Sequence, residues 1–149
     1  MTNNMLSAQQ ANRQRFAKAV VYAKNSLANP AVVAAYAAII QGPRQVYLAA
    51  LKDALRAPLL VNLQTNAYTG AVGDLIRVQA MDDFKVVQVE FKLFATDGSL
   101  LECGQAIRSN NGLDWIYTTL VCNPQPKGST VLVRAMDLPR NHCELTQVL

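Results

Sequence analysis

Two copies of one phrase end in side chains that could hold a cation. Val78-Gln79-Ala80-Met81-Asp82 recurs as Val133-Arg134-Ala135-Met136-Asp137, with Asp83 just after the first copy and Asn141 shortly after the second. Asp82, Asp83, Asp137 and Asn141 offer carboxylate and amide oxygens, the donors that Ca²⁺ collects in sets of about 6–8. A site follows only if the fold brings both copies to one place. The competing reading is that each Asp caps its own turn by accepting nearby backbone N–H groups. Turn capping is the simpler of the two, because no dense D-x-D-x-D spacing is present and Leu138-Pro139 makes a stiff loop with few ligands. No other cofactor is indicated.

Other reactive residues point to less. His142 is the single histidine. It adjoins Cys143, but neighbours on a strand face opposite ways, which argues against a Cys–His dyad. Cys103, Cys122 and Cys143 are odd in number and widely spaced, so they show neither a disulfide framework nor a metal pattern. They read as free thiols packed as small hydrophobes. Serines lack a G-x-S-x-G context, and no phosphate-cradling glycine loop is present. Glu90 and Glu102 could pair for acid–base work, although outward charges on a wet sheet face explain them more simply. Tyr68, Phe84, Trp115 and Tyr117 could form an aromatic platform for a sugar or peptide. Trp115 reads instead as core, and Tyr68, before Thr69-Gly70, as the exposed member. The expectation is a protein that is not an enzyme.

The elements that must position these residues change character at Pro58. Before it the period is helical. Phe16, Val20, Ala23 and Leu27 share one face. Asn29-Pro30 stops that helix and starts a second, with Asn29 as N-cap and Pro30 in the first turn. The second helix carries Val32, Val33, Tyr36 and Ile40 and should end at Gln41-Gly42. Pro43 opens a third, with Tyr47, Leu51 and Ala54 on one side, which stops before Pro58. These alanine-rich helices are marginal alone and must pack on something. After Pro58 the period is two. Segments at 59–63, 76–80, 87–93, 100–107, 115–121, 131–135 and 143–147 read as strands separated by turns such as Asp97-Gly98 and Ser109-Asn110-Asn111-Gly112. The reading is therefore α+β, with a helical segment over 1–57 and an antiparallel sandwich of about seven strands over 58–149.

The second part resembles bacterial immunoglobulin-like or fibronectin-III-like modules. The residues that carry the resemblance are Gly73-Asp74 leading into Ile76–Ala80, then Asp82-Asp83 before Val86–Val89, then Asp97-Gly98, Trp115-Ile116-Tyr117-Thr118 and Ala135-Met136-Asp137-Leu138-Pro139-Arg140-Asn141. The chain departs from antibody-type domains in having no cysteine in the second or sixth strand and a late Trp115. The resemblance implies an adhesive, spacer or carbohydrate-enzyme accessory role. It also implies that the second and sixth strands run the same way in facing sheets, so that both copies of the phrase end at one pole.

Composition sets the outer bounds. The chain of 149 residues is 51% hydrophobic and 16% charged, enough for a folded core. Net charge is +4, but the Lys and Arg are scattered, which argues against nucleic-acid binding. No stretch suits a bilayer span of ~20 apolar residues. Residues 1–10 lack a basic-then-apolar pattern, so no secretory signal is expected and the cytoplasm is the default, although the resembling modules are usually exported. Hydrophobic residues on more than one side of the second helix (Val32, Tyr36, Ile39, Ile40) point to internal packing or to self-association. The expected function is a binding or assembly module, with a protein partner or a second copy through the helices. The alternative is an accessory carbohydrate- or peptide-binding module using the loops at the Asp82/Asp137 pole, with Ca²⁺ as its ion.

Overall fold

The computed structural model describes residues 7–39 and 43–149. The chain divides into two compact units, Met1–Arg56 and Ala57–Leu149.

The first unit is helical. Helix α1 (Ala8–Leu27) begins with a capping box: the Gln10 N–H donates to Ser7 Oγ at 3.2 Å and the Ser7 N–H to Gln10 Oε1 at 3.1 Å. Helix α2 (Pro30–Ala37) starts as its sequence dictates, with the Asn29 side chain accepting the Ala31 N–H at 3.1 Å. Its expected end at Gln41-Gly42, and Ile40, lie outside the described residues. Helix α3 (Pro43–Ala54) packs chiefly on α1.

The inward faces differ from the expected ones. Ala19, Ala23 and Ser26 are buried on α1, and Val46, Ala49, Ala50 and Asp53 on α3. Of the expected α1 face only Ala23 is buried; Phe16 is 52% and Leu27 44% exposed. Tyr47, Leu51 and Ala54 are half-buried, one step off the inward face of α3. Small side chains let helix axes approach, so the alanines form the seam and the bulky residues are displaced to its flanks. Across the seam runs a polar chain. The Tyr22 and Tyr36 hydroxyls meet at 2.7 Å, and the Tyr36 O–H donates to Asp53 Oδ2 at 2.6 Å. Burial, reinforced by that carboxylate, holds the Tyr36 phenol far above its usual range.

The second unit contains eight strands: β1 (Leu59–Gln64), β2 (Leu75–Met81), β3 (Val86–Phe94), β4 (Leu100–Gln105), β5 (Ile107–Arg108), β6 (Asp114–Thr118), β7 (Thr130–Asp137) and β8 (His142–Val148). They form two four-stranded antiparallel sheets, ordered β1-β2-β6-β5 and β4-β3-β7-β8. Alternation drives both. Ile76, Val78 and Ala80 from one sheet meet Val89, Phe91, Leu93, Val131, Val133 and Ala135 from the other in one core. The Phe91 and Tyr117 rings stack between the sheets, with centroids 5.2 Å apart and planes 6° off parallel.

The strand count corrects the expected seven. Segment 100–107 breaks at buried Ala106, whose N–H donates to the Val89 carbonyl at 2.8 Å. The chain there leaves the edge of one sheet and joins the edge of the other, so one alternating run becomes β4 and β5. The strand expected over 115–121 ends at Thr118, because buried Thr119 is held by the 71–74 turn: its N–H donates to the Asp74 carbonyl and the Gly73 N–H to its own carbonyl. In β1 the ladder shifts between Val61 and Gln64, where Asn62 takes φ 53° and its side-chain amide donates to Gln79 Oε1 at 2.7 Å.

Candidate functional site at the Asp82 pole

The two copies of the phrase end at one pole, at the close of β2 and of β7. β3 begins where β2 ends, and its first residue, Val86, is the register partner of Asp137 at the end of β7. The carboxylate oxygens of Asp82 and Asp137 lie within 4.8 Å of each other. Four hydrogen bonds within two turns account for most of what these residues do. Asp82 Oδ2 accepts the Phe84 N–H at 3.4 Å and the Lys85 N–H at 3.2 Å. Asp137 Oδ1 accepts the Asn141 N–H at 2.7 Å, and its Oδ2 accepts the Asn141 side-chain amide at 3.2 Å. Main-chain bonds between Asp137 and both Arg140 and Asn141 close the same turn, in which Arg140 takes φ 70°. Asp83 is exposed on the β2–β3 turn. Asp82 Oδ1 meets no hydrogen-bond donor among the described residues.

Asp137 is fully buried, and burial pushes its carboxyl up to about 6 against the lowering pull of its Asn141 bonds. The Asp82 charge pushes the same way.

Beside Asp82 lies a recess of about 190 Å³ between the β2–β3 and β5–β6 turns. Apolar Ala80, Phe84, Val86 and Leu113 line it together with the charged Asp82, Lys85 and Arg108. The β5–β6 turn is rigidly built. Asn111 Oδ1 accepts the Leu113 and Asp114 N–H groups at 2.9 Å each, and its amide donates to Asp114 Oδ2 at 2.6 Å. Arg108 Nε donates to the Gly112 carbonyl at 3.2 Å, and a Cβ on Gly112 would come within 3.1 Å of Nη2. The bare α-carbon of Gly112 thus lets the guanidinium lie against the turn. Sequence reasoning missed Lys85 and Arg108. The available signal was an arginine directly before Ser-Asn-Asn-Gly, a turn that fixes its neighbours.

Several expected site residues serve the opposite pole or the core instead. Glu102, expected on the wet face, is buried at 8% exposure. Its Oε1 accepts the Tyr117 O–H at 2.5 Å and the Leu120 N–H at 2.9 Å, and its Oε2 the Val121 N–H at 3.1 Å. Burial and this carboxylate raise the Tyr117 phenol above its usual range. Tyr68, expected to be exposed, is 8% exposed; its hydroxyl accepts from the Asn123 amide at 3.0 Å, which also donates to Ser129 Oγ at 2.9 Å. Trp115 and Tyr117 belong to the core, so Tyr68, Trp115 and Tyr117 form no open platform; Phe84 alone reaches the recess. Glu90 stays on the outer face, 3.7 Å from Lys92. The cysteines are free, but Cys103 and Cys122 are exposed rather than packed, and only Cys143 rests against the core. His142 is exposed at the start of the edge strand β8. Among the described residues no helix is long and apolar enough to cross a membrane.

No family model and no curated protein matches the chain. Among solved structures, an engineered protein is 14% identical over 69% of this chain, with a TM-score of 0.43. The chain spans about a quarter of that protein's length (26%), and a likeness at this level carries no argument about fold or function.

Proposed function

We propose that the second unit is an immunoglobulin-like binding module whose recognition surface is the pole carrying Asp82, Lys85 and Arg108, and that it has no catalytic role. Strand order supports the fold reading. Labelled A, B, C, C′, D, E, F and G along the chain, the eight strands give sheets A-B-E-D and C′-C-F-G, the partition typical of such domains. The observation that carries the functional reading is the recess between two turns, its lining part apolar and part polar and including two cations that have no ion pair among the described residues. A concave apolar lining with a few placed polar groups is the usual make-up of a ligand site. Loops at one end of a rigid sandwich are where such modules usually bind.

The test is a fragment screen on the full chain, read by amide chemical shifts. Hits perturbing residues 81–86 and 108–114 support the reading; hits mapping only elsewhere overturn it. Self-association through the helices is the second reading, favoured by Phe16, Val21, Leu27 and Leu48, each 44–56% exposed on the helical unit. It places a second copy, rather than a foreign ligand, as the partner.

A further inference from the structure

The recess beside Asp82 also has a chemistry that narrows its ligand, and the assignment rests on the reading of this pole as a binding surface. Its volume of about 190 Å³ exceeds the roughly 150 Å³ that holds a benzene ring in a dry protein cavity. Ala80, Phe84, Val86 and Leu113 supply apolar walls. Ala80 and Val86 are almost fully buried at 4% and 9% exposure, and the Ala80 N–H is tied to the Leu113 carbonyl at 3.1 Å, so this floor is fixed.

The charged border is asymmetric. Arg108 uses Nε on the Gly112 carbonyl, a bond that anchors the guanidinium and leaves both Nη groups with no partner among the described residues. Lys85 commits its backbone N–H to Asp82, while its ammonium group makes no ion pair among the described residues. Asp82 is the one acid lining the recess, and its Oδ2 accepts two backbone N–H groups. Two cations thus stand against a single lining carboxylate, one oxygen of which is already engaged by backbone N–H groups. A guanidinium anchored through Nε, with both Nη groups uncommitted, is matched in geometry by a carboxylate, which it can take with two parallel bonds.

We propose that this recess binds a small carboxylate with a compact apolar body, Arg108 taking the carboxylate and Ala80, Phe84, Val86 and Leu113 enclosing the body. The probe is benzoate, with benzamide as the uncharged analogue of the same shape. Both are titrated into the ¹⁵N-labelled full chain at low salt and pH 7.5, in the parent and in Arg108→Gln and Arg108→Lys variants. Benzoate should shift the amides of residues 82–86 and 112–113 to saturation, and benzamide should bind at least about tenfold more weakly. Arg108→Gln should lose about tenfold in benzoate affinity with the remaining spectrum unchanged, and Arg108→Lys should recover part of it, as a point charge without the fork. Equal binding of benzoate and benzamide, benzoate affinity indifferent to Arg108→Gln, or shifts confined to other faces would overturn the assignment. If benzoate fails while uncharged fragments still map to 81–86 and 108–114, the carboxylate falls and the binding module stands. If nothing maps there, both fall.

Discussion

Asp137 is an acid that its turn requires and its surroundings penalise. Its native-state carboxyl sits near 6 against an ordinary 3.8. The native state therefore holds a proton over a pH range in which the unfolded chain has released it. Below about pH 4 both states are protonated and the burial of this group is not penalised. Stability falls as pH rises through that window, and the loss is complete above about pH 6. One pKa unit corresponds to about 1.4 kcal/mol, so the loss is at most about 3 kcal/mol. Asp137→Asn keeps an oxygen for the Asn141 N–H and removes the charge. Urea melts of this variant should show a flatter profile between pH 4 and 6 and equal or higher stability at pH 8; an unchanged slope would contradict the assignment. The same residues bear on the cation. Both oxygens of Asp137 and one of Asp82 already accept hydrogen bonds. Ca²⁺ wants about 6–8 oxygens, so millimolar Ca²⁺ should leave the melting temperature unchanged. An upward shift would restore the ion, since a ligand selective for the native state must stabilise it. At the other pole, Glu102→Ala removes the acceptor of three donors, one of them the buried Tyr117 hydroxyl. A buried donor left without its acceptor costs about 1–3 kcal/mol, so a destabilisation of about 3 kcal/mol is expected in the same melts.

Turns and edges, at the scale of elements, decide how far the alternating pattern can be trusted. Gly70 has φ +90°, and a Cβ there would overlap the Asn123 carbonyl oxygen. Gly73 has φ +91° with open space around it. Gly73→Ala should therefore cost only the left-handed strain, about 1 kcal/mol, and Gly70→Ala about 3 kcal/mol or more, because the backbone must also move. Thermal melts of the two single variants check the order, and equal losses would mean that the 70–123 contact is not tight. Both glycines stand in segments that the sequence marks as turns, but nothing local distinguishes them, since the Asn123 carbonyl is fifty-three positions away. Strand existence was legible for a related reason: period-two alternation in 76–80, 87–93 and 131–135 is imposed by the pleat itself. The break at Ala106 was not legible, because 100–107 alternates well enough to pass as one strand. Only the competition of two sheet edges for its halves separates β4 from β5. In the helices, Asn29-Pro30 marked the start of α2 from local chemistry, whereas the Ser7–Gln10 box at the start of α1 went unread although it too is a local signal. The inward faces escaped because each helix offers both bulky apolar residues and alanines, and the choice fell to the side that could pack closely.

For the whole molecule, each of the two units holds a core of its own, and partner chemistry divides between them. Phe16 and Leu48 are about half exposed on the helical unit, so changing both to Glu should leave its seam of Ala19, Ala23, Ala49 and Ala50 intact. If the helices assemble copies, the parent should run as an oligomer in sedimentation and the Phe16→Glu/Leu48→Glu variant as a monomer; a monomeric parent removes that reading. The sequence by itself determined the α+β order, the change of period at Pro58, most strand positions and the kinship of the two V-x-A-M-D phrases, because helical and pleated periodicities and turn residues are local consequences of backbone geometry. Tertiary structure alone decided which sheet each strand joins, that Glu102 and Tyr68 turn inward, and that Arg108 bonds the Gly112 carbonyl beside a recess. These depend on long-range competition for buried area and hydrogen-bond partners, and residues far apart in the chain settle it only when they meet.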